Sequence, residues 1–97
     1  MSTFAFTTDL WIHGGMSGSW YFLTLPFDAA DEIRAMSERR GFGSVRVQAT
    51  IGDSTWDTSV FPDTQSASYL LPVKAAVRRA QQIDDGDRIE VTITTRD

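Results

Sequence analysis

A chain of 97 residues has room for one domain, and 41% hydrophobic with 23% charged residues is the balance of a globular protein rather than a disordered one. The net charge of −4 opposes non-specific nucleic-acid binding, which depends on neutralising phosphates. Lack of cysteine excludes disulfides, thiolate nucleophiles and cysteine-bound zinc, and fits a reducing cytoplasm.

The N-terminal stretch from Met1 to Trp11 has neither the basic start nor the continuous apolar run of a signal peptide. No apolar run approaches the roughly 20 residues that cross a bilayer. Phe4, Phe6, Thr8 and Leu10 alternate with Thr3, Ala5, Thr7 and Asp9, which predicts a half-buried strand from Thr3 to Trp11 or Ile12. The glycine-rich segment 13–18 follows and reads as a flexible connection. From Ser19 to Leu25 both faces are largely apolar, so this strand should be central. Pro26 stops it, because proline has no N–H for the ladder.

Asp28 is placed to cap a helix, with Asp31 and Glu32 at the positive end of its dipole. Ala29, Ile33 and Met36 form the apolar stripe, Arg34, Glu38, Arg39 and Arg40 the solvated face, and Gly41 the C-terminal stop. Val45, Val47, Ala49 and Ile51 predict another strand. Gly52-Asp53 is a hairpin turn, and residues 54–60 return antiparallel with Trp56, Thr58 and Val60 on one face. Residues 61–66 read as a loop broken at Pro62. A short strand over 68–71 ends at Pro72. A second helix over 74–82 presents Val73, Val77 and Ala80, with Ile83 closing beneath. Asp84 to Asp87 turn around Gly86, and Ile89, Val91, Ile93 and Thr95 mark the last strand.

These elements predict a mainly β, six-stranded, largely antiparallel β-barrel capped by two short helices, in one domain over 1–97. Closure removes the exposed edges that an open sheet of short strands would carry. A pseudo-two-fold repeat is visible: Leu25-Pro26 precedes Ala29-Ala30, and Leu71-Pro72 precedes Ala75-Ala76 at the same spacing.

Trp20-Tyr21-Phe22 with Leu25-Pro26, Val45 to Gly52 with alternating Val47 and Ala49, Thr58-Ser59 with Pro62, Leu71 to Arg78, and Gly86-Asp87 with Ile89 and Val91 together resemble the DUF1905 family. The resemblance covers Phe4 to Asp97. It implies a small β-barrel with helices at its ends, and it implies no activity. Members stand alone or are fused to a domain associated with bacteriocin protection. The chain departs from the family in having Gly52-Asp53 where Asn-Gly is usual, and in a longer first helix. The stretch Leu71-Pro72, Val77-Arg78-Arg79 and Asp85 to Val91 is also similar to the swapped-hairpin transition-state regulators, which bind DNA as dimeric barrels with basic surfaces. The acidic charge and greater length here point to shared architecture rather than shared DNA binding.

His13, the one histidine, lacks companions for a metal site and reads as a solvated loop residue. Asp84, Asp85 and Asp87 lack the spacing and terminal Glu of a calcium loop, and read as a turn in which Gly86 takes a positive φ. Lys74, Arg78 and Arg79 form a basic helix face that either binds an acidic group or pairs locally, Arg78 with Asp87. Among the aromatics, Trp56 is flanked by polar residues and is the leading candidate for exposure. The function expected is a non-enzymatic binding or interaction module without metal or cofactor. The alternative is a ligand binder or enzyme with a barrel-mouth site built from Trp20, Trp56, Lys74, Arg78 and Asp87. A DNA-binding regulator is the third reading. Partner and oligomeric state, monomer or dimer, are not legible.

Overall fold

The computed structural model describes residues 1–15, 18–40 and 43–96, with backbone only at 15, 18 and 38–40. The alternating stretches form six strands, β1 (Thr3–Gly15), β2 (Gly18–Thr24), β3 (Val45–Ile51), β4 (Ser54–Asp63), β5 (Ser68–Pro72) and β6 (Arg88–Thr95). Two helices interrupt them, α1 (Phe27–Arg40) after β2 and α2 (Ala75–Gln81) after β5. The strands close in the order β1-β2-β5-β4-β3-β6, and every pairing is antiparallel.

This ring maps onto itself when β1, β2 and β3 are exchanged for β4, β5 and β6. The Leu-Pro repeat therefore marks two equivalent halves. Because neighbouring strands are antiparallel, the exchange swaps the two ends of the barrel. It follows that α1, between the end of β2 and the start of β3, and α2, between the end of β5 and the start of β6, lie at opposite ends.

Leu10, Leu23, Val47, Val60, Leu71 and Ile93 fill the interior and are essentially inaccessible. Ala30 and Ile33 of α1 close one end, and Val73 and Val77 close the other. At roughly 1.5–3 kcal/mol for each large apolar side chain removed from water, this interior is the main stabilising term. Ala29, Ile33 and Met36 are all buried, as their spacing predicts. No helix among the described residues is long and apolar enough to cross a membrane.

Several expectations need correction. Residues 13–15 and 18 are strand, not loop: β1 and β2 pair through His13↔Trp20 to Gly15↔Gly18, so His13 is exposed but on a strand. Main-chain ladders make no demand on side chains, and a glycine-rich run can enter one. Pro62 does not break β4, which continues to Asp63. Helix α1 begins at Phe27, so Asp28 lies in its first turn, and its carboxylate accepts from Ala29 N–H at 2.9 Å. Arg34 is half-buried. It donates to Asp31 and to the Ala67 carbonyl at 2.8 Å, tying α1 to the β4–β5 turn. Ala80 faces solvent rather than the stripe. The Gly41 stop lies outside the described residues, as do the side chains of Glu38, Arg39 and Arg40.

The aspartate turn forms as predicted. Gly86 takes φ +89°. Asp84 N–H donates to the Asp87 carboxylate and Asp85 N–H to that of Asp84, each at 2.8 Å. The same turn extends the β6 edge along β1: Leu10 N–H donates to the Asp87 carbonyl, and Ile12 N–H to the Asp85 carboxylate.

Candidate functional site

Strand β5 is shorter than the two strands that flank it. Its Tyr69 carbonyl accepts from Leu25 N–H at 2.9 Å, so Tyr69, Leu71 and Val73 turn their backbone groups to β2, while Leu70 and Pro72 turn theirs to β4. Pro72 has no N–H to give β4. Val73 still donates to the Tyr21 carbonyl at 2.9 Å, and then the chain leaves for α2. Beyond that point β2 runs on to Gly18 and β4 runs back to Ser54, and among the described residues no strand lies between them. The gap is a cleft of about 430 Å³.

By the same alternation the backbone of Ser19 on β2 and of Asp57 on β4 faces into the gap. Its floor includes Trp56, only 8% exposed, and Trp20 stands at the rim, 63% exposed. The expectation that Trp56 is exposed is therefore corrected. Trp56 shares the inward row with Val60, and its polar neighbours Thr55 and Asp57 point the other way. Trp20 sits on the outer face, stacked on Phe22 with ring planes 7° apart.

Two cations line the cleft from the α2 side. The Arg78 guanidinium lies 3.7 Å from the centre of the Tyr21 ring, and its Nη1 donates to the Val73 carbonyl at 2.6 Å. A cation over a ring face at this distance is electrostatically favourable, so the guanidinium is held in place from two sides. Lys74 is exposed, immediately before α2, and its side chain makes no capping hydrogen bond. Neither cation is paired with a carboxylate among the described residues. The one acidic side chain in the lining, Asp57, is engaged by Arg96 at 3.3 Å.

Of the five residues that sequence reasoning singled out, Trp20, Trp56, Lys74 and Arg78 line this one cleft. Asp87 does not. Its carboxylate accepts within its own turn, and the Arg78–Asp87 pair is not formed because Arg78 is committed to Tyr21 and Val73. Arg79 is exposed and outside the lining. Tyr21, Ser19 and Asp57 were missed. The end of β5 at Pro72 is the signal that would have found them, since it decides which neighbouring edges are left open.

The other half of the molecule supplies a comparison. Counting from each Leu-Pro, Asp28 stands where Lys74 does, and Glu32 where Arg78 does. A recess lies there, beside Phe4 to Thr7 of β1 and Pro26, Asp28 and Ala29, with Glu32 outside its lining. The other half thus carries acids where this one carries cations.

A family model described as a domain of unknown function (DUF1905) matches residues 6–93. The chain belongs to this family. No curated protein matches it. The DUF1905 barrel closes within one chain, in contrast to the dimeric barrels of the swapped-hairpin regulators. Among the described residues of this DUF1905 domain, no group of three or more histidine or acidic side chains is placed to hold a metal ion. The cleft thus combines a fixed positive charge, aromatic side chains and two strand edges that have no partner strand among the described residues.

Proposed function

We propose that this DUF1905 domain is a non-enzymatic binding module that takes an anionic group into the cleft between β2 and β4. The observation that carries the reading is the Arg78 guanidinium, held by Tyr21 and the Val73 carbonyl and beside the unpaired Lys74. A cation positioned in advance loses little freedom when an anion arrives, and that favours affinity. The cleft volume lies in the range of about 300–1,000 Å³ common to small-ligand sites. The cysteine-free composition supports a reducing compartment such as the cytoplasm for it.

The test is thermal unfolding with small carboxylates and phosphates, beside the Lys74→Ala variant. A ligand at 100 times its Kd stabilises by about 2.7 kcal/mol. The expected result is a rise in Tm for the native chain that shrinks in the variant. Kosmotropic anions stabilise any protein by exclusion from its surface, so an equal rise in both proteins would sink the reading.

A further inference from the structure

The long walls of the cleft are strand edges, and this says more about the ligand than charge does. β2 and β4 flank β5, so at Pro72 they stand two strand spacings apart, roughly 9.5 Å at 4.7–4.9 Å each. That is the width one further strand occupies. The Ser19 backbone on one wall and the Asp57 backbone on the other face this track, and α2 has carried the chain's own strand out of it. Unpaired edges are templates for an added strand.

The chemistry of the ends is unequal. Lys74 and Arg78 lie where β5 departs, without carboxylate partners among the described residues, in a molecule whose net charge is −4. Because the cations stand at the end where β5 leaves, an extended chain that runs opposite to β5, parallel to β2 and β4, brings its carboxy terminus to them, and one that runs with β5 brings its amino terminus. Of the two termini, only the carboxylate is attracted. The inward row offers Trp56, Thr58 and Val73 to a side chain of the incoming segment. The volume of about 430 Å³ admits the end of a chain rather than a long stretch. The recess at the start of α1 carries Asp28 where this cleft carries Lys74.

We infer that the cleft between β2 and β4 receives the carboxy-terminal end of an extended peptide. Its main chain occupies the track that β5 vacates, and its terminal carboxylate meets Lys74 and Arg78. This rests on the anion-binding reading and narrows it to one kind of partner.

The experiment is an NMR titration of the full chain, labelled with nitrogen-15. The probes are N-acetyl-trialanine with a free carboxylate, its carboxy-terminal amide, an analogue methylated on its central nitrogen, and acetate. The free acid should shift the amides of Ser19, Tyr21 and Asp57. The amide and the methylated analogue should each bind at least tenfold more weakly. Lys74→Ala, at an exposed position, should remove most of the preference for the acid over its amide. Equal binding of acid and amide overturns the carboxylate assignment. Equal binding of the methylated analogue overturns strand addition. If acetate shifts the same amides and the peptide binds no better, the peptide is wrong and the anion reading survives. If none of these probes, nor phosphate, shifts any cleft amide, both fall.

Discussion

A Cβ at Gly52 would run into the Gln81 side-chain amide, and the residue holds φ +59° at the first position of the β3–β4 turn. Gln81 Nε2 donates to Asp53 at 2.7 Å and to Ser54 at 2.9 Å, so moving it aside gives up contacts that join α2 to the turn. Gly86 has a similar φ of +89° but nothing within 4 Å. Gly86→Ala should therefore cost only the left-handed backbone term, about 1–2 kcal/mol. Gly52→Ala should cost more than that, because it loses the Gln81 contacts as well. Urea denaturation of the two variants measures the difference, and equal costs would show that the Gln81 contacts contribute nothing. A second residue-scale effect lies in the β4–β5 turn. Asp63 accepts from the Ser66 hydroxyl at 2.7 Å and from Ser66 N–H at 3.0 Å, and these bonds hold its carboxyl below the ordinary value of 3.8. A depressed acid contributes stability that is fully present above the unfolded value and is lost as pH falls through the folded one. Acid unfolding of Ser66→Ala should thus differ from the native chain chiefly above the folded pKa of Asp63, with the gap closing below it. An Asp63 titration followed by carbon-13 NMR should move back towards 3.8 in that variant.

Helix α1 stands or falls by its seating on the end of the barrel. Ile33 is fully buried there, whereas Phe27, at the start of the same helix, is 63% exposed. Ile33→Ala should cost about 2–5 kcal/mol, a large part of the roughly 5–15 kcal/mol that holds a domain of this size. Phe27→Ala should stay within about 0.5 kcal/mol. Similar values for both in chemical denaturation would mean that α1 does not plug the barrel. Ile33 also shows why the elements were legible in the sequence. Where one face of a strand or helix is buried and the other wet, the apolar residues must recur at the period of the element, as Val45 to Ile51 and Ala29 to Met36 do. What was hidden depends on pairing across the sheet. The 13–15 and 18 ladder is held by main-chain groups and leaves no pattern in the side chains. Pro62 reads as a stop, yet it lies past the last β3 pairing, at Val60, where no N–H is required of it. The stacking of Arg78 on Tyr21 needs the β2–β5 register, and the Arg78–Asp87 pair favoured by proximity in sequence loses to it.

At the scale of the whole molecule, closure within one chain and the sign of the charge act together on the nucleic-acid question. The helix that carries Arg78 and Arg79, with Lys74 just before it, belongs to a barrel completed by the strands of the same chain, so no second copy is needed to close the ring and double the basic face. The remaining surface is acidic on balance, with a net charge of −4 and a pI of about 4.7. DNA affinity at low salt comes mainly from phosphates neutralised by lysine and arginine, and it grows as salt is removed. At 0.01 M ionic strength the Debye length is about 30 Å, comparable with the 36 × 31 × 19 Å extents of the described residues. A duplex approaching Lys74 and Arg78 then feels the net charge of the entire molecule as well as the two cations, and is repelled. For a short peptide terminus at ordinary salt the balance differs, because screening within about 8 Å leaves only the local cations in view. Duplex DNA should therefore migrate unretarded with micromolar protein even at the lowest salt. Retardation that strengthens as salt is lowered would show that the basic face of α2 outweighs the rest of the surface, and would restore the regulator that the stretch from Leu71 to Val91 resembles.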